Sequence, residues 1–283
     1  MTQPLVVSGN LLPWQRIESP SGSALVDFKR AQSARIENYF LGGKDNFPID
    51  REVGSSALSV FPDLWLAARA RRVFLCRAVH FLAGAGFEQF LDVGVGLPAS
   101  PNLHEVAQGL VPAARVVYAD HDPLVLLHAR ALLASGPLGS VEVVEADLRD
   151  PAKILGLGLA CFDEGEPVVL SLSGVLPFVS DAEDPYGIVA ALLAGLPAGS
   201  ALLLDHLTAD YAPEVVAGLV AVYKAADMSL QARSREQVAQ FVAGLELLDP
   251  GLVSCQRWIP DAPDLDDLPA DGAVSCYGVV ARL

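Results

Sequence analysis

Residues 90–98, Phe90-Leu-Asp-Val-Gly-Val-Gly-Leu-Pro98, decide how the chain is read. An apolar strand runs into Gly94-x-Gly96, a tight turn at which backbone can approach a ligand closely. Ala99 stands where a GxGxxG fingerprint has its third glycine, and a dinucleotide fold tolerates alanine there. The glycines alone therefore do not choose a ligand. Asp92 is more telling, because a carboxylate two residues ahead of the turn repels a pyrophosphate and can accept from an ammonium group.

Outward from this stretch the chain alternates apolar strands with helices. The pattern predicts strands over 89–94, 115–120, 140–145, 167–173 and 200–206, with late strands over 244–249, 253–258 and 274–281. Near-continuous Val, Leu and Ile runs mark strands covered on both faces, as in a parallel sheet. Three intervening helices open with the same pair, Asp122-Pro123, Asp150-Pro151 and Asp184-Pro185, in which Asp caps and Pro fixes the first turn. The fold class is an open α/β sheet. Residues 212–225 and 235–243 read as further helices. Upstream, 1–25 is an irregular lead broken by Pro and Gly, 26–41 reads as a helix ending at Gly42-Gly43, and 62–83 as a clearer one. Its stripe is Trp65, Ala68, Leu75, Val79 and Leu82, with Arg72 completing the spacing. This divides the chain into a lead and helical cap over 1–86 and a sheet domain over 87–283. The Asp-rich stretch 261–271 reads as a solvated loop.

Composition narrows the function. The 283 residues are 52% hydrophobic and 19% charged, with mean hydropathy +0.39, which supplies a sizeable core. The longest apolar runs fall well short of the ~20 residues of a membrane span, and the first residues lack the pattern of a signal peptide. The net charge of −15 argues against nucleic acid and anionic membranes as partners. It is uneven: residues 1–86 carry ten basic and seven acidic side chains, and 87–283 carry nine and twenty-seven, so the basic piece can dock on an acidic body. Cys76, Cys161, Cys255 and Cys276 are widely spaced with no CxxC, which points to no metal and to a reducing cytoplasm. Arginine outnumbers lysine fifteen to four, a bias suggestive of a GC-rich bacterial genome.

Acids recur at the strand ends. Asp120 closes the second strand, where a nucleotide-binding α/β fold places an acceptor for ribose hydroxyls. Asp122 reads best as a helix cap. His121 either stacks on a base or is a plain loop residue. Asp147 follows the third strand and either accepts from an adenine amine or is a loop acid beside the Asp150 cap. Asp92, Asp120 and Asp147 share one sheet edge and suit S-adenosylmethionine (SAM), a cationic adenosine ligand without phosphate, better than NAD.

The order Asp92-x-Gly94-x-Gly96, Asp120, Asp147 resembles the class I SAM-dependent methyltransferases. ARIENYFLGGKDNFPIDRE (34–52) resembles more specifically a bacterial S-adenosyl methyltransferase family catalogued as a domain of unknown function. FLDVGVGLPASPNLHEVAQ, VVYADHDPLVLLHARALL, ADLRDPAKIL and DPYGIVAALLAGLPAGS resemble it too, as does the late Tyr277-Gly278. The resemblance covers about 30–283. It implies a Rossmann-like, mostly parallel, seven-stranded sheet with an N-terminal helical cap, and SAM as cofactor. The sequence departs from the family twice, with Leu176-Pro177-Phe178 after the fourth strand where a VLHFV-like segment with a His is expected, and with Arg71 where an Asn is expected.

The cofactor-binding set is then Tyr39, Gly42, Gly43, Lys44, Asn46 and Arg72 from the cap, with Asp92, Gly94, Gly96, Leu97, Asp120, His121, Asp147, Leu148 and Ser171 from the sheet. Lys44 or Arg72 faces the methionine carboxylate in this reading; the competing account of Arg72 is a structural salt bridge. Methyl transfer needs alignment and desolvation more than a fixed base. The weak catalytic candidates are Ser173 and His206, while His104 and His128 read as packing or surface residues. The acceptor is expected to be a small molecule. The other readings are a SAM-binding sensor or non-catalytic partner, and an NAD-dependent oxidoreductase.

Overall fold

The computed structural model describes residues 26–258 and 268–283; the lead over 1–25 and most of the acidic loop over 261–271 lie outside them. Helices α1 (Ser33–Phe40), α2 (Pro48–Val60) and α3 (Leu64–Gly84) precede the sheet. Then β1 (Gln89–Val93), α4 (Leu103–Leu110), β2 (Arg115–Asp120), α5 (Pro123–Leu132), β3 (Ser140–Glu145), α6 (Pro151–Leu159) and β4 (Val168–Leu172) alternate. After α7 (Pro185–Ala194), β5 (Ala201–Leu207), α8 (Pro213–Ala225) and α9 (Arg235–Gln240) come the short β6 (Glu246–Leu247) and β7 (Val253–Ser254), α10 (Asp271–Val274) and β8 (Cys276–Arg282).

The sheet order is β3-β2-β1-β4-β5-β8-β6, with β7 also paired to β8. The first five strands are parallel, and β8 enters antiparallel against β5. Among the described residues eight strands stand where seven were expected. The physical reason is local: β6 meets Ala281 and Arg282 and β7 meets Tyr277 and Gly278, both beside one strand, so the last edge position is filled in two pieces around Asp249-Pro250-Gly251.

Apolar alternation explains the layers. Phe90, Val116, Tyr118, Val169 and Leu203 pack on one face with Phe74, Val79 and Leu82 of α3 and with Trp258. Leu91, Val117, Leu170 and Leu202 face the other way, onto Ile154, Ile188 and Leu192. β1 and β4 are buried throughout, whereas β3 is half-buried and carries Glu142 and Glu145, as suits an edge strand. A third cluster joins Ile36 and Phe40 of α1, Ala57 of α2, Leu64, Ala67 and Ala68 of α3, and Leu219 and Tyr223 of α8. So α3 packs on the sheet with one end and on α1, α2 and α8 with the other.

The Asp-Pro helix starts are as expected. Asp122 accepts from the backbone N–H of Leu124 and Val125, Asp150 from Lys153 and Asp184 from Gly187. The region before α3 differs. The expected helix over 26–41 begins only at Ser33, because side chains hold the preceding backbone: Arg35 is buried and donates to the carbonyls of Asp27 and Arg30 and, at 2.8 Å, to Asp50. Asp50 also accepts from the backbone of Gln32 and Phe47. The sequence reading missed α2 altogether, although Pro48 and Asp50 form an ordinary helix start. Pro62 precedes α3 rather than opening it, and Trp65 of the expected stripe is exposed. No helix among the described residues is long and apolar enough to cross a membrane.

Candidate functional site

Strand order reverses between β1 and β4, and the crevice at the carboxyl ends of such strands is where open α/β sheets bind ligands. A cavity of about 170 Å³ lies there. Its floor is the turn after β1. Gly94 (φ +76°) takes a conformation that L side chains rarely adopt, and a Cβ on it would lie 2.6 Å from Val175. At Gly96 (φ +66°) a Cβ would meet nothing within 4 Å, so this glycine leaves backbone open to the cavity.

Two buried carboxylates face that turn. Asp92 sits between Tyr118 and Ser171 in the sheet register, and burial pushes its pKa up to about 6 against the pull of Arg72. Asp120 is also raised by burial, opposed by the hydrogen bonds it accepts. Its Oδ1 accepts from His121 N at 2.7 Å and Asp122 N at 2.9 Å, and its Oδ2 from Gly96 N at 3.2 Å. Asp120 thus ties the glycine turn to the end of β2 besides lining the cavity. Asp147 is more exposed, accepting from Arg149 N at 2.9 Å and pairing with its guanidinium at 3.2 Å. Arg72 donates to the carbonyls of Ala99 and Pro101, so it pins the β1–α4 loop, and no carboxylate among the described residues bonds it.

Of the residues expected to bind the cofactor, Arg72, Asp92, Gly94, Gly96, Leu97, Asp120, His121, Asp147 and Leu148 line this one cavity. Tyr39, Gly42, Gly43, Lys44, Asn46 and Ser171 do not. Ser171 is wholly buried beneath it. Gly42, Gly43 and Lys44 are exposed, and Asn46 is buried on the amide of Asn38, with Nδ2 2.8 Å from Asn38 Oδ1. Gly43 N donates to Asn38 O, and a Cβ on Gly43 would run into the Asn38 side chain. Tyr39 packs against Gly54 and bonds Ser55 at 3.2 Å. The glycine-rich block is a turn that braces α1 through Asn38, and α1 meets the cavity with Ser33, Glu37, Leu41 and Asn38 itself.

The β4–β5 side holds a second polar group. Ser173 Oγ donates to Asp205, which also accepts from Arg71 Nε at 3.0 Å; Arg71 Nη1 lies 3.5 Å from Glu37. Burial opposes the Arg71 charge, but Glu37 and Asp205 outweigh it and hold the guanidinium protonated. Gly174 (φ +68°) makes room, since a Cβ there would collide with that guanidinium. Sequence reasoning missed Glu37, Gly174 and Asp205 as a group. The one signal was Arg71 itself, an arginine where the family resemblance led one to expect Asn.

His206 lies outside the cavity, buried and stacked on Phe241. An arginine only donates and a carbonyl only accepts, so Nε2 accepts from Arg233 at 2.7 Å and Nδ1–H donates to Leu207 O at 2.8 Å. Burial, with help from Arg233 and Arg71, lowers its pKa to about 3. Both nitrogens are occupied, which unfits it as a base. Leu176 is also buried, and its carbonyl accepts from the same Arg233. His104 bonds Tyr118 Oη, and His128 Nδ1–H donates to Leu124 O. Among the described residues no group of three or more His, Cys, Asp or Glu is placed to hold a metal ion.

The model of one protein family, described as S-adenosyl methyltransferase, matches residues 20–283. Among solved structures, a protein of the DUF574 family from Streptomyces avermitilis is 43% identical, with a TM-score of 0.87 over 91% of this chain and 99% of that one. A putative methyltransferase from Thermobifida fusca is 37% identical, with a TM-score of 0.82 over 91% and 96%. Magnesium protoporphyrin IX methyltransferase from Synechocystis, solved with bound SAH, shares the fold at 12% identity and a TM-score of 0.51. No curated protein sequence matches the chain.

Proposed function

The chain belongs to the S-adenosyl methyltransferase family, and from that premise we propose that it methylates a small-molecule acceptor with SAM held across the β1–β2 edge. The observation that carries this reading is electrostatic. Two buried carboxylates, Asp92 and Asp120, line one cavity with three arginines, of which Arg71 pairs with Asp205 and Arg149 with Asp147 and Glu183, whereas Arg72 is held by backbone carbonyls. That set suits a ligand with a sulfonium, an ammonium and one carboxylate, and it repels a pyrophosphate. SAM supplies a methyl group already activated by the positive charge on sulfur. In this reading Asp120 accepts from the ribose hydroxyls, Asp147 and Leu148 flank the adenine, Asp92 faces the cationic end, and Arg72 faces the carboxylate. The helices before residue 87 act as a cap over this edge, with α1 as its inner wall. Four unpaired cysteines and relatives from Streptomyces and Thermobifida support a bacterial, cytoplasmic setting.

Thermal unfolding tests the reading. A ligand that binds only the native state stabilises it, by about 2.7 kcal/mol at a hundredfold excess over Kd. SAM and S-adenosylhomocysteine (SAH) should both raise Tm, and NAD should not. An equal rise with NAD, or none with SAM, overturns the proposal.

A further inference from the structure

Beyond Arg71 the cavity continues. Glu37, Arg71, Gly174, Phe178 and Tyr223 also line a second, smaller space of about 60 Å³ between α1, α3 and α8. A cavity of about 150 Å³ holds a benzene ring, so this space alone takes part of a ring, and the rest lies in the mouth that it shares with the larger cavity. Its walls are mostly apolar, with Phe40, Phe61, Leu64, Ala68 and Leu219, and the Tyr223 hydroxyl and the Cys276 thiol add polar groups. The charged groups gather at the mouth. There Asp205 is already bonded by Arg71 and Ser173, whereas the Glu37 carboxylate, 31% exposed, has among the described residues only the long 3.5 Å pairing with Arg71.

We propose that this second space receives the methyl acceptor, that the acceptor is a single-ring phenol, and that Glu37 is its base. The inference rests on the SAM reading above. The apolar walls select the ring, and the carboxylate–guanidinium pair at the mouth selects the group on it. A carboxylate is too weak a base for an aliphatic alcohol, but a phenol, with a pKa of about 10, lies within its reach when Arg71 faces the developing oxyanion. The phenolic oxygen forms a bond to the methyl carbon, the carbon–sulfur bond breaks with its electron pair returning to sulfur, and the phenolic proton passes to Glu37. The products are an aryl methyl ether and SAH.

The test uses the full chain saturated with SAH and p-cresol as probe. Calorimetry should show p-cresol binding with a Kd of about 1 mM or tighter. Ala68→Leu, which fills the space, and Leu230→Trp, at a half-buried position less costly to folding, should each weaken p-cresol by about tenfold or more and leave SAH affinity unchanged. Glu37→Gln should keep p-cresol binding while slowing tritiated methyl transfer from SAM to p-cresol by about 100-fold. The same variant should methylate 4-nitrophenol, already largely ionised near neutral pH, at nearly the wild-type rate. Overturning results are p-cresol binding that is absent or indifferent to both blocking variants, or a Glu37→Gln loss that is equal for the two phenols. If SAH itself does not bind, the failure belongs to the cofactor reading instead.

Discussion

On the β1–β3 side of the carboxyl edge, each carboxylate reaches the cavity from a position beside its own strand end, and only Arg72 comes from the helix layer. Asp92, Gly94 and Gly96 span five residues, and Asp120 closes β2. On the β4–β5 side the polar groups come from far apart: Arg71 and Asp205 are 134 residues distant in sequence, and Glu37 arrives on α1. The first side is made by local turns and backbone, the second by packing one helix layer over the sheet. A local motif can serve one common ligand in many chains, while an assembled wall changes with every helix that contributes to it. Substitutions on the first side should therefore act locally, and those on the second through packing.

The sharpest way to break that contrast is Arg71→Met. It leaves Asp205, wholly buried, without its cation. Loss of a buried pair costs about 3–5 kcal/mol, and the partial exposure of Arg71 places this case at the lower end. Urea denaturation should show the loss, and Asp205→Asn in the same chain should recover part of it. If Arg71→Met is neutral, the β4–β5 side is not held together as described.

On the other side, Asp120→Ala should weaken SAM by about 1.5–3 kcal/mol for each charge-assisted hydrogen bond removed. Calorimetry gives that figure. Stability should fall as well, by about 1–2 kcal/mol, because the backbone N–H groups of Gly96, His121 and Asp122 lose their acceptor.

Asp92→Asn should move stability and binding in opposite directions. The native pKa of about 6 lies above the ordinary value of an aspartate. Between roughly pH 4 and 6 the native state therefore holds more protons than the unfolded one, and stability falls as pH rises through that window. Above it, an ionised Asp92 costs about 2–3 kcal/mol, so the ligand-free Asn variant should be more stable at pH 7 and its pH profile flatter. SAM affinity should drop in the variant, and in the wild type it should drop as pH falls below about 6. A variant no more stable than wild type at pH 7 contradicts the burial argument. The smallest effect belongs to Lys44→Ala: exposed and outside the cavity, Lys44 should change SAM affinity by less than about twofold.

The same contrast governs how much could be read from the chain. The strands, the Asp-Pro caps and the glycine turn were legible, because each depends on neighbours a few residues away. Asp92, Asp120 and Asp147 were legible as a set for the same reason, since strand ends of a parallel sheet share an edge. The role of the glycine-rich block was not. Its conspicuous residues, Gly43 and Asn46, fold against Asn38, and the cavity receives the less conspicuous side of α1. Helix α2 escaped because Gly54, Ser55 and Ser56 blur its apolar period, although Pro48 and Asp50 marked its start. The split edge strand was seen as two late strands, but nothing in either showed that both share β8 as partner.

That shared partner sets a timetable for synthesis. β5 emerges from the ribosome before β8, and Cys276 at the start of β8 packs beside Asp205, 71 residues earlier. β6 and β7 also emerge before β8, yet β8 is the strand they pair with. Until β8 appears, β5 offers an open edge that is apolar over Ala201 to Leu204, the kind of surface that invites pairing with another chain. Pulse-labelled hydrogen exchange during refolding should accordingly find β1, β2 and β4 protected early, and β5 to β8 protected together and late. The order in which the chain is made is not the order in which its strands can pair.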